Sequence, residues 1–262
     1  MLPFSWNHDP MSGECQQELN AGMMPGGDPF DQFGYGHCPN GNGTSSIMIV
    51  GNSYCRSFRD PFRAAFKNNF SEFRFVSLAD GFGIYADGAY SKLSLNETRR
   101  QVEKYKPDVL LIVARYTGAI KTPMKEEKDE WLNEMNENIE WYEKYSKKIY
   151  ILDSHPLYSI NFLNHFLQYS LNRLDDIDSL HLNRREADRE MKYAKRRFEM
   201  VKCSKCHFFD LSHLFIDGDK YLTFDPQRMI SYVDNSIHLS NAAIDFCRPE
   251  LERIAHEIMN SL

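Results

Sequence analysis

The chain has no apolar run approaching the ~20 residues that a membrane-spanning helix needs, so none of its 262 residues reads as a transmembrane segment. It also lacks a basic excess. Lys and Arg number 31 against 37 Asp and Glu, a formal net charge of −6, which leaves no electrostatic footprint for nucleic acid. The charges of both signs are mixed along the chain, as on solvated helix faces. Met1 to Pro10 lack the basic start and apolar stretch of a signal peptide, and taken by themselves they point to a cytoplasmic chain. No internal repeat is visible. A structural zinc site would need a second paired ligand motif beside Cys203-Ser-Lys-Cys206, and none is present. The expectation is no metal and no cofactor.

What is present pulls the other way on compartment. There are six cysteines and three N-glycosylation sequons, Asn42-Gly-Thr44, Asn69-Phe-Ser71 and Asn96-Glu-Thr98. An even cysteine count with sequons suits a lumenal or extracellular domain. Residues 1–45 hold Met24-Pro-Gly-Gly27, Phe33-Gly-Tyr-Gly36 and Pro39-Asn-Gly-Asn-Gly43 without apolar periodicity, and read as an irregular lead segment pinned by Cys15 or Cys38.

From Ser46 to the end, residues 46–262, short apolar runs alternate with amphipathic stretches. Strands are expected at about 47–50, 73–78, 109–113, 148–152 and 207–211. Helices are expected through about 67, then at 95–105, 128–145, 160–173, 184–201 and 241–259, with a small hairpin at 221–224 and 229–233. The run Val109-Leu-Leu-Ile-Val113 is apolar throughout, as in a strand covered on both faces. Alternating strands and helices imply a three-layer α/β/α domain around a mostly parallel sheet of about five strands. Such sheets carry their sites at the carboxyl ends of the strands.

The loops at that edge are Gly51-Asn52-Ser53-Tyr54, Asp80-Gly81-Phe82-Gly83, Ala114-Arg115-Tyr116, Asp153-Ser154-His155-Pro156 and Asp234-Asn235-Ser236-Ile237-His238. A serine on a strand-to-helix turn has its hydroxyl exposed. It also sits beside helix N–H groups that can hold an oxyanion.

The segment Ser46-Ile-Met-Ile-Val-Gly-Asn-Ser-Tyr54 resembles the Gly-Asp-Ser opening of SGNH (GDSL-like) esterases, and His238-Leu-Ser240 before a final helix resembles their Asp-x-x-His-Leu-Ser ending. Together with Lys106-Pro-Asp-Val-Leu-Leu-Ile-Val-Ala-Arg-Tyr116 and Lys202-Cys-Ser-Lys-Cys-His-Phe-Phe-Asp210, these motifs are similar to the SGNH domain at the C-terminus of nematode acyltransferase-3-type membrane proteins. The resemblance spans about residues 46–260. It implies Ser53 as nucleophile, His238 as general base, and oxyanion or substrate contacts from the Ser53 N–H, Gly81, Gly83, Asn52 and Arg115. Arg115 stands near where many members carry an asparagine. The position three residues before the histidine, an aspartate in the family, is Asn235 here, so the orienting group is either Asn235 or its neighbour Asp234. The implied activity is O-acyl transfer or O-acyl ester hydrolysis between an acyl donor and a sugar or lipid hydroxyl. A membrane acyltransferase-3 module is the implied partner, and the implied location is lumenal, extracellular or membrane-associated.

Blander readings stand beside these. Ser53 could only cap its helix, His238 could be structural, and Arg115 could pair with a nearby carboxylate. Ser154-His155 also follows a strand but lacks a glycine turn before it. Cys203-Ser-Lys-Cys206-His207 matches a haem-attachment pattern formally, but His207 opens the apolar pair Phe208-Phe209, so a Cys203–Cys206 disulfide or free thiols fit better. Cys55 reads as a packed core residue. Rival functions are a carbohydrate esterase that only hydrolyses, and a catalytically inactive SGNH-like binding module.

Overall fold

The computed structural model describes residues 15–20, 34–116, 118–125, 128–156, 158–235 and 237–262. The opening residues, Met24-Pro-Gly-Gly27 and Ser236 lie outside the described residues. In chain order the elements are β1 (Gln16–Asn20), β2 (Gly34–Cys38), β3 (Ser46–Gly51), α1 (Ser53–Ala65), β4 (Glu72–Ser77), α2 (Ala89–Tyr105), β5 (Val109–Ile112), α3 (Glu130–Glu143), β6 (Lys148–Leu152), α4 (Phe162–Asn172), β7 (Leu182–Asn183), α5 (Arg184–Glu199), β8 (Cys206–Phe209), β9 (Ile216–Asp217), β10 (Lys220–Tyr221), β11 (Phe224–Asp225), β12 (Ile230–Ser231) and α6 (Asn241–Asn260).

Five strands, β4-β3-β5-β6-β8, run parallel, as the sequence leads one to expect. Their side chains alternate between two faces. Ile47, Ile49, Leu111, Val113, Tyr150 and Leu152 pack against α1 and α6, with Phe58, Phe62, Leu251 and Ile254. Met48, Val50, Leu110, Ile112, Ile149 and Ile151 pack on the opposite face, with Val102, Met135 and Ile139. Each such side chain, fully buried, contributes about 1.5–3 kcal/mol, so the two apolar faces fix both the register and the three layers.

The lead segment departs from its expected irregularity. β2 pairs antiparallel with β4, and β1 pairs antiparallel with β2, which extends the sheet to seven strands. Gln16-Gln-Glu-Leu-Asn20 and Gly34-Tyr-Gly-His-Cys38 lack the apolar run of a central parallel strand because they are antiparallel additions, β1 at the edge and β2 between it and β4. The disulfide Cys15–Cys38 joins the pair where β1 begins and β2 ends. Cys203 and Cys206 form a second disulfide, and His207 stacks on Tyr150 at a centroid distance of 4.9 Å. The hairpin near the end forms between Phe224–Asp225 and Ile230–Ser231, while Tyr221 joins a separate small sheet.

Candidate active site

The turn from β3 into α1 is made by a glycine and an asparagine. A Cβ on Gly51 would lie 2.0 Å from the carbonyl oxygen of Val113, so only glycine lets the ends of β3 and β5 approach this closely. Asn52 is the N-cap of α1. Its Oδ1 accepts from the N–H of Tyr54 (3.2 Å) and of Arg115 (3.1 Å), and its Nδ2 donates to the Arg115 carbonyl (2.9 Å). The Asn52 side chain is therefore committed to backbone on two loops. These bonds lock the Ser53 turn to the Arg115 turn, a role beyond the substrate contact expected of Asn52. Ser53 follows as the first helical residue, where its own N–H has no partner within the helix.

The histidine loop is closed by an antiparallel bridge between Val233 and Leu239. Within it the Asp234 N–H donates to the His238 carbonyl at 3.0 Å, and the His238 N–H donates to Asp234 Oδ1 at 2.9 Å. Asp234 Oδ2 lies 3.4 Å from His238 Nδ1. Asn235 faces the other way. Its carbonyl accepts from the N–H of Asn161 at 2.9 Å and its Oδ1 from that of Asn164 at 3.0 Å, at the start of α4. Of the two candidate orienters, Asp234 is thus the one beside the ring. The turn that carries the chain on to His238 includes Ile237 at φ 76°, a conformation that costs a β-branched residue on the order of 1–3 kcal/mol.

Tyr54 links serine and histidine. Its ring packs 6.3 Å from that of His238 and 6.1 Å from that of His155, centroid to centroid. Among the described residues no hydrogen bond joins Ser53 Oγ to the His238 ring.

Arg115 reaches the same rim from β5. Its Nε is buried without a hydrogen-bond partner, and no carboxylate among the described residues pairs with it. Burial lowers its pKa, while Tyr54 and Asp234 act in the opposite direction. Both glycines expected beside the oxyanion also have packing roles. The Gly81 N–H donates to the Leu78 carbonyl at 3.0 Å, and a Cβ there would meet the Gly51 oxygen at 2.8 Å, so this glycine serves the close approach of two turns. Gly83, at φ 78°, packs on Ile112, and its carbonyl accepts from Tyr142 on the opposite face of the sheet.

Ser154 and His155 are buried beneath the rim. Ser154 Oγ and both His155 ring nitrogens have no hydrogen-bond partner among the described residues. Burial takes the His155 pKa down to about 4, with Asp210 acting against that shift. A neutral imidazole between Tyr54 and Phe215 is a packed wall, and a weak base. Tyr54 and Lys121 were not singled out by the sequence. Tyr54 could have been, by its place beside Ser53. Lys121 is one lysine among many and carries no local signal.

Sheet order and rim together define an SGNH-type α/β domain. A family model described as an SGNH domain fused to AT3 domains matches residues 15–253, and the chain belongs to that family. Comparison with curated proteins gives no match. Among solved structures, the chain is similar to the periplasmic domain of a lipopolysaccharide acetyltransferase from Salmonella ser. Paratyphi A. That pair shares 16% identity and a TM-score of 0.54, over 83% of this chain and 85% of that one. It is also similar to a putative acylhydrolase from Bacteroides fragilis (14% identity, TM-score 0.45, 84% and 91% covered). A third is a catalytic mutant of an acetylxylan esterase from Geobacillus stearothermophilus (12%, 0.45, 82% and 95%). At these identities the likeness is one of fold. Family and fold support acyl transfer or ester hydrolysis in general terms. Among the described residues, no helix is long and apolar enough to cross a membrane.

Proposed function

We propose that this domain transfers or hydrolyses an O-acyl group through an acyl-enzyme on Ser53. The observation that carries the reading is the placement of Asp234 Oδ2 3.4 Å from His238 Nδ1, on a ring that packs against the residue next to Ser53. With Nδ1 on the Asp234 side, Nε2 is the nitrogen left to serve the serine. Ser53 Oγ attacks the acyl carbonyl carbon and its proton passes to Nε2. The oxyanion is held by the Ser53 N–H at the start of α1 and by the Arg115 guanidinium. Collapse breaks the bond to the leaving alcohol, which takes the proton from the imidazolium. Water or an acceptor hydroxyl then attacks the acyl-enzyme and gives its proton to His238; the bond to Ser53 Oγ breaks, and Oγ takes that proton back from the imidazolium. The Ser53–His238 hydrogen bond forms as substrate binds, as catalytic contacts of free enzymes often do.

The acceptor we propose is a sugar or lipid hydroxyl, with an AT3 module of the same system as partner. Two disulfides and exposed Asn42, Asn69 and Asn96 favour an extracytoplasmic, glycosylated setting over a cytoplasmic one. The test is fluorophosphonate labelling with p-nitrophenyl acetate turnover. Wild type labels and turns over, and Ser53→Ala loses both, with turnover falling about 10⁴-fold or more. Full labelling of Ser53→Ala would remove Ser53 as nucleophile. A wild type with neither property would leave the inactive binding module as the reading. Added acceptor alcohol separates transfer from hydrolysis.

A further inference from the structure

Beyond Arg115, a second cation stands on the same loop. Lys121 ends a short 3₁₀ turn, Gly118–Lys121, that follows β5. Its Nζ is buried and has no hydrogen-bond partner among the described residues. The acidic residue acting on it is Glu190 of α5, which is exposed and makes no ion pair with it. The other charge acting on it is that of Arg115, which repels it.

This placement is enforced rather than accidental. Arg197 of α5 is 1% exposed and donates from Nη1 to the carbonyls of Ile120 (2.7 Å) and Thr122 (2.9 Å), the two residues that bracket Lys121. Its remaining nitrogens hold Asp129 at 2.8 and 2.6 Å. Asp129 in turn caps α3 through the Leu132 N–H and accepts from the Lys125 N–H. At the other end, Asn52 fixes the Arg115 backbone. The loop thus carries two half-buried cations, with Arg115 Nε and Lys121 Nζ each buried without a hydrogen-bond partner among the described residues and no carboxylate in an ion pair with either. Drawing charge from water without an ion-pair partner is unfavourable, and two like charges add repulsion. An anion that enters between them removes both costs.

We propose that Arg115 and Lys121 form one anion-reading pair, so that the ester or acceptor taken at this rim carries a carboxylate or phosphate group. The inference rests on the acyl-transfer reading for its placement beside Ser53 and names the substrate class of that site. Guanidinium and ammonium divide the work: one edge of the five-donor Arg115 guanidinium serves the oxyanion and another the substrate's anionic group, to which Lys121 adds a point charge.

The experiment compares three acetyl esters on the intact chain: p-nitrophenyl acetate, which is neutral, 4-acetoxybenzoate, which carries a carboxylate, and 4-acetoxyphenyl phosphate. The readout is the ratio of kcat/KM for each anionic ester to that for the neutral one, which cancels leaving-group and folding effects common to wild type and variant. Lys121→Gln lowers the ratio at least tenfold, through KM, and Lys121→Arg retains most of it. The larger ratio in wild type tells carboxylate from phosphate. A ratio that Lys121→Gln leaves untouched overturns the proposal. A second arm does not depend on turnover. Inorganic phosphate and benzoate are titrated by calorimetry against wild type and Lys121→Gln. If no ester is turned over, the acyl-transfer reading fails while this arm still decides the pair. Tighter binding of either anion to wild type by about tenfold supports it, and equal or absent binding overturns it.

Discussion

Arg115 belongs to the loop after β5 and Arg197 bonds to its backbone, and the two differ in what their charges meet. Arg197 is spent completely. Two carbonyls and both oxygens of Asp129 take its donors, and the assembly ties α3, α5 and the loop together. Arg115 is half-buried, with its backbone fixed and its buried Nε unsatisfied. Both are drawn at least partly from water, so burial alone does not mark a functional arginine. What separates them is whether the fold supplies the counter-charge or leaves it to be supplied from outside.

The comparison is sharpest under the same substitution. Arg197→Met strands Asp129 as a buried, unpaired carboxylate and lowers folding stability by about 3–5 kcal/mol. Arg115→Met removes a desolvated charge and leaves stability equal or higher. It lowers kcat/KM for an acyl ester by about 10²–10³-fold, the scale of a lost oxyanion donor. Urea denaturation and ester turnover on both variants check this. Equal destabilisation by the two substitutions would break the comparison.

The same division runs through Asp234 and Asn235. Asn235 is satisfied by the start of α4, while Asp234 faces the ring of His238. Asp234→Ala is expected to lower ester turnover by about two or more orders of magnitude, and Asn235→Ala by about ten-fold or less. The reverse ranking would assign the orienting role to Asn235.

These residues also show how much was legible beforehand. The five parallel strands follow from apolar runs such as Val109–Ile112, because a strand covered on both faces must be apolar throughout. The serine turn is legible because Gly51 is required by a 2.0 Å approach that no other residue permits. The antiparallel strands β1 and β2 were not legible, since such strands need little apolar pattern and their pairing is set by partners elsewhere in the chain. The choice between Asp234 and Asn235 depended on a turn that includes Ile237, a residue type that does not announce a positive φ. Gly81 and Gly83 lie near the right strand end, but where an N–H or a carbonyl points is a tertiary fact. The locking role of Asn52 was hidden for a similar reason: nothing in the sequence places an amide next to a nucleophile against its partners on the β5 loop.

The smallest expected effect concerns Lys121, and it tests whether the second cation belongs with Arg115 or with Arg197. Burial brings the Lys121 pKa down to about 8, with Arg115 adding to that shift and Glu190 opposing it. Below that pH the ammonium is charged and attracts an anion; above it, binding an anion must take up a proton. Affinity for an anionic ester therefore falls by up to about ten-fold per pH unit above 8, whereas a neutral ester has no such dependence on Lys121. The ratio of the two kcat/KM profiles cancels every group that acts on the chemistry, His238 and Ser53 included. That ratio is expected to be flat up to about pH 7 and to decline beyond pH 8. In Lys121→Arg it stays flat across the range, because a guanidinium remains protonated throughout. A wild-type ratio that does not bend, or that bends equally in Lys121→Arg, would place Lys121 with Arg197, as part of the frame.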